Sequence, residues 1–162
     1  TLSIINKNTI KMKSKLKLLV IVASLVLVAT GCQSLFSTSE NAVATTAGKS
    51  CGNAISTLYK EYKKQNKIDV TNTTTLTSIV QIAAARNVLK ENKNNTAFVS
   101  AFALGMVSGS NNLITNVTSN NVINALLSLS SLNDITTNTP SGSTAATEAG
   151  KSLIPLVKSI DK

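Results

Sequence analysis

The side chains best able to do covalent chemistry in this sequence are two cysteines, Cys32 and Cys51, and no histidine accompanies them. Without histidine, a Ser-His-Asp or Cys-His arrangement cannot be assembled, and neither can a histidine-ligated zinc site. The 7 acidic residues are scattered, with no close pair on one helical face. General acid/base work by paired carboxylates and carboxylate-held metals therefore lack material, and no cofactor or metal is expected. Cys51 is the only candidate nucleophile of the folded part. Its spacing with Ile55, Leu58 and Tyr62 puts it on an apolar helical face, where a thiol acts as a small core residue. Lys49 would lower its pKa only if both groups were exposed. Gly48-Lys49-Ser50 and Gly150-Lys151-Ser152 look like the end of a phosphate-binding loop. The glycine such a loop needs five positions earlier is Val43 or Ala145, and neither segment follows a strand. The expectation is a protein that is not an enzyme and binds no nucleotide.

Cys32 stands in a different context. Met12 is followed by Lys13, Lys15 and Lys17 with no acid among them, then by an apolar run from Leu18 to Ala29, and then by Thr30-Gly31-Cys32. A basic start, a short apolar stretch and small residues at its end mark a secretory signal. The run is about a dozen residues, short of the roughly 20 a membrane-spanning helix needs. Ala29-Thr30-Gly31-Cys32 resembles the lipobox of bacterial lipoprotein precursors, matching at Gly31 and Cys32 and departing at Ala29, where Leu is usual. The resemblance implies that Cys32 receives a diacylglycerol on its sulfur and that a signal peptidase cuts between Gly31 and Cys32. Each buried methylene contributes roughly 0.8 kcal/mol, so two or more chains hold a protein on a membrane where one does not. Residues 1–11 then form an upstream extension and residues 12–31 the signal. Gln33 follows the cysteine where retention in the inner membrane is associated with Asp. By that resemblance the protein is expected on the outer membrane, facing the periplasm.

The formal charge of +9 overstates how basic the working protein is. Five of the 16 basic residues precede Cys32, leaving 11 against 7 acids, a net of +4 over 131 residues. No basic stripe is interleaved with aromatics, so nucleic acid is not an expected partner. With Cys32 acylated, Cys51 has no cysteine to pair with.

Periodicity predicts an all-α fold: a small bundle of about four helices after a cleaved signal and a flexible tether. Residues 32–47 are small and polar and read as the lipidated tether. The helical domain is expected over 48–132. Its first helix runs over 49–66, with Cys51, Ala54, Ile55, Leu58, Tyr59 and Tyr62 on one face. Its second runs over 75–92 and is apolar around most of its girth, which predicts a central position. The third is expected over 97–108 with Thr96 as cap. There Ala97, Ala101, Gly105 and Gly109 recur every four residues, which lets a neighbouring helix approach closely. A short helical piece over 113–117 precedes a fourth helix over 121–132, capped by Ser119 or Asn120. The run 111–124 also alternates weakly, as a hairpin would. Residues 133–150 are rich in Thr, Ser, Asn and Gly and read as a linker. Residues 151–162 form a short amphipathic helix with Ser152 as cap and Pro155 in its first turn. That helix either docks on the bundle or meets a partner or lipid surface.

The stretches Cys51-Gly52-Asn53-Ala54-Ile55, Leu58-Tyr59-Lys60-Glu61-Tyr62-Lys63 and Gly109-Ser110-Asn111-Asn112-Leu113, with Gly105, resemble small lipoproteins of the Bacteroidetes. That resemblance implies no catalytic or binding residue. Two functions are expected from the whole. One is a lipid-anchored, non-enzymatic envelope module that binds another envelope protein. The other is a carrier of a hydrophobic small molecule held between helices by Tyr59, Tyr62, Phe98, Phe102 and Met106.

Overall fold

The structure, a computed structural model, describes residues 40–161. The upstream extension, the signal with Gly31 and Cys32, and the tether as far as residue 39 lie outside the described residues. Five α-helices follow in order: α1 (Glu40–Gln65), α2 (Thr73–Glu91), α3 (Thr96–Gly109), α4 (Asn116–Ser128) and α5 (Thr144–Ser159). A 3-10 turn, Ser130–Asp134, lies between α4 and α5. Among the described residues there is no strand, so the weak alternation over 111–124 resolves into a turn and the start of α4.

Helix α1 begins at Glu40, not after residue 47, so the second half of the expected tether is part of the domain. Ala44 and Ala47 are fully buried and continue the face formed by Cys51, Ala54, Ile55 and Leu58. Alanine is the strongest helix former. Its small side chain is also what this part of α1 needs, because α3 passes close by. The helix ends at Asn66, which takes a left-handed φ of 54° and donates its N–H to the Tyr62 carbonyl at 2.7 Å. Lys63 and Lys64 sit in the last turn, where the helix dipole favours cations.

Helix α2 is central, as its apolar girth predicts: Ile79, Ile82, Ala83, Ala84, Ala85, Val88 and Leu89 are all buried. Its cap is Asn72, whose side chain accepts from the N–H groups of Thr74 and Thr75. Helix α3 is capped by Asn95 rather than Thr96, through a bond from the Phe98 N–H at 3.1 Å. Helix α4 opens five residues earlier than its large apolar residues suggest, because Thr115 and Thr118 close a reciprocal capping box. It ends at Ser128, and Leu132 reaches the core from the 3-10 turn instead.

The segment expected as a linker over 133–150 is also built into the domain. Ser141 donates its hydroxyl to the carbonyls of Val70 and Thr71 at 3.2 and 3.0 Å, and the Gly142 N–H reaches the Val70 carbonyl at 3.2 Å. Ser143, not Ser152, caps α5, which therefore starts seven residues before residue 151. Pro155 falls in the helix interior on an exposed position, where it removes the intrahelical bond to the carbonyl of Lys151, itself an exposed residue. Ala146, Ala149, Leu153, Leu156 and Val157 bury against the bundle, so α5 docks. At Gly150 a Cβ would meet a methyl of Val70 at 2.8 Å.

The most extensive helix contact is between α1 and α3. A Cβ added at Gly48 would stand 2.0 Å from the Phe102 carbonyl oxygen, and one at Gly52 2.1 Å from that of Met106. In return, a Cβ at Gly105 would stand 2.1 Å from the Thr45 carbonyl oxygen, and one at Gly109 2.1 Å from that of Lys49. Residue numbers rise together along both helices, so the two run parallel, backbone against backbone. Helix α2 provides the return between them.

Candidate functional site

The residues expected to line a ligand space separate into two groups. Phe98, Phe102 and Met106 are core side chains of α3, each at most 2% exposed. Tyr59 and Tyr62 lie further along α1. The seam places Met106 level with a point between Gly48 and Gly52. Tyr59 then stands on the order of 10 Å further along the helix axis, past the end of α3. The five side chains do not converge on one space.

The two tyrosines instead belong to a surface cluster that joins α1 to the end of α5. The Tyr59 hydroxyl donates to Asp161 Oδ1 at 2.6 Å, and Lys63 Nζ donates to Asp161 Oδ2 at 2.7 Å. Lys63 also lies 5.8 Å from the Tyr59 ring centre, and Lys158 5.6 Å from that of Tyr62. Hydrogen bonds from Lys63 and Tyr59 hold the Asp161 carboxyl below the usual carboxylate range. The same carboxylate pushes Lys63 and Tyr59 up. Every charge in the cluster has a partner within it, so the arrangement is a tie between helices. Asp161 was not singled out by sequence, because a lone acid near a chain end carries no spacing signal.

Cys51 is fully buried, and desolvation pushes its thiol up to about 12. A thiol in that state is neither a nucleophile nor a metal ligand at neutral pH. The core reading of its spacing therefore agrees with its position.

Arg86, the one arginine of the chain, is 2% exposed and was missed by the sequence reading. It projects from α2 to the end of α4. There Nε donates to the Leu126 carbonyl at 2.6 Å, Nη2 to the Leu127 carbonyl at 3.1 Å, and Nη1 to Asn133 Oδ1 at 2.7 Å. The last carbonyls of a helix lack intrahelical partners and carry its negative dipole end. A planar guanidinium satisfies two of them and spans to the 3-10 turn, which a lysine could not do. Burial lowers the Arg86 pKa from its ordinary high value. Its role is to fix α4 and the 3-10 turn to the central helix.

No helix among the described residues is long and apolar enough to cross a membrane. Compared with known proteins, the chain matches no family model, no curated protein and no solved structure.

Proposed function

We propose that the protein is a lipid-anchored, non-enzymatic module of the bacterial cell envelope, held at Cys32 on the outer membrane and facing the periplasm, and that its helical domain binds another envelope protein. One observation carries this reading: Thr30-Gly31-Cys32 falls at the point where a signal-like apolar run stops. Three features of the folded part are in keeping with it. The free thiol is sealed in the core. The charged cluster at Tyr59 and Asp161 is satisfied internally. Arg86 is committed to backbone carbonyls. The side chains with the most chemical potential are thus occupied in holding helices together. The test is the native mass of the protein extracted gently from its own membrane. A complex with a second protein is the expected result. An acylated monomer carrying a small hydrophobic molecule would overturn the module reading in favour of a carrier.

A further inference from the structure

The charged residues are distributed unevenly over the domain. From residue 94 to residue 133 the chain has no Asp, Glu, Lys or Arg, a run of 40 residues that contains all of α3 and α4. Among the described residues, the two large apolar side chains that stand exposed, Leu104 at 61% and Val117 at 86%, both fall in that run. On α3 the exposed positions are Thr96, Ala97, Ser100, Leu104 and Ser108, a strip with no charge to desolvate. At its beginning the turn from α2 carries the exposed Lys90 and Lys93, with Glu91 between them. The lysine-rich stretch Lys60–Lys67 belongs to the other end of α1.

The parallel seam sets Glu40 level with the start of α3, near Ala97. Only seven residues separate Glu40 from Cys32, a reach of at most about 29 Å. The lysine-rich end of α1 lies about 30 Å further along the helix. A lipid on Cys32 is therefore tethered at the end of the domain where α3 begins, within reach of its uncharged strip. Burial in the headgroup region is opposed by charged groups and favoured by apolar area flanked by lysines. The strip carries no charge, exposes Leu104 at its centre, and has Lys90 and Lys93 at its start.

We infer that the exposed face of α3, centred on Leu104 and bordered by Lys90 and Lys93, is the side of the domain that lies on the bilayer holding the Cys32 anchor. This inference rests on the lipoprotein reading above. The domain would then sit in a fixed posture rather than turn freely on its tether. It would turn α5 and the Tyr59–Asp161 cluster away from the membrane and towards any partner.

The test uses the lipidated full-length protein, purified from producing cells and placed in phosphatidylethanolamine/phosphatidylglycerol vesicles with brominated acyl chains. A single surface thiol is introduced as Leu104→Cys or Lys64→Cys and labelled with an environment-sensitive dye, which the fully buried Cys51 cannot take up. Both sites are exposed, so neither change threatens the fold. Strong quenching at 104 with little at 64 is the expected result, and adding Lys90→Glu and Lys93→Glu should weaken the quenching at 104. Equal quenching at both sites, or stronger quenching at 64, overturns the inference while the anchor reading stands. A protein whose mass lacks acyl chains and which leaves the vesicles on washing overturns both readings.

Discussion

Replacing Gly48 by alanine should destabilise the domain, although alanine is the better helix former. In an unconstrained helix interior the change would stabilise by about 1 kcal/mol. Here the new Cβ would stand 2.0 Å from the Phe102 carbonyl oxygen and 2.9 Å from its carbon, where real Cβ atoms do not come within 3.0 Å. The obstacle is backbone on a helix that is itself packed, so α1 and α3 must part by about 1 Å, a gap that forfeits up to half of each contact along it. Overpacking of this kind costs about 3 kcal/mol at the upper end of its usual range. The net loss is about 2 kcal/mol, and at about 4 °C per kcal/mol for a domain of this size the melting midpoint falls by about 8 °C. The assay is thermal unfolding followed by circular dichroism, with Asn53→Ala as the control. Asn53 is an exposed residue of the same helix, and its replacement should move the midpoint little. A Gly48→Ala protein that melts higher than the parent, as helix propensity alone predicts, would refute the backbone-to-backbone seam.

Other consequences follow from the same packing. Arg86→Met removes the donors to Leu126, Leu127 and Asn133, and should cost about 3 kcal/mol in urea unfolding because those acceptors are left without partners. Arg86→Lys should recover only part of that loss, and a Met variant as stable as the parent would contradict the role given to Arg86. Cys51 should resist thiol reagents at pH 8 in the folded protein and react fully in denaturant, because burial has pushed its thiol up to about 12; rapid labelling in the native state would contradict the core position. The tie at Asp161 should depend on pH at both ends. Its carboxyl is held low, so its contribution is present above the ordinary carboxylate pKa of about 3.9 and is lost as pH falls through the depressed value. Lys63 is held high, so its contribution is present below the ordinary lysine value of about 10.4 and is lost as pH rises through the raised one. Protection of the amides in the last turn of α5, taken relative to their intrinsic exchange rates, should therefore be greatest between those limits and lower in Asp161→Asn; protection unaffected by that variant would remove the tie.

The apolar residues of α2, α3 and α4 made an all-helical fold legible, and the girth of α2 made its central place legible too. The boundaries were lost where packing uses small residues. The stretch Glu40–Ala47 reads as tether because it has little bulk, yet lack of bulk is what lets α1 meet α3. The row Ala97, Ala101, Gly105 and Gly109 is visible in the sequence, but its counterpart Ala44, Gly48, Gly52 and Ser56 is divided there between the expected tether, the phosphate-loop look-alike and the first helix. A four-residue repeat of small side chains calls for a second one opposite, and that signal was available. The linker failed for a related reason. Thr, Ser and Gly over 133–150 suggest loose chain by composition, whereas Ser141, Gly142 and Ser143 each make a specific bond to backbone. Arg86 had no local signal, since its partners lie 40 or more residues away. The expected ligand-lining set failed in register: spacing puts Tyr59, Tyr62 and Phe98 on apolar faces, but only the parallel pairing of α1 with α3 shows that they stand at different heights.

The mass of the protein recovered from the membrane fraction of producing cells tests the proposed anchor at Cys32 most directly. A chain that begins at residue 32 and carries the mass of a diacylglycerol and its acyl chains, together with a Cys32→Ser protein that loses both the acyl mass and the cut at residue 31, is the predicted result. A membrane-bound chain that keeps residues 12–31, or one released with a free thiol at Cys32, would contradict the account.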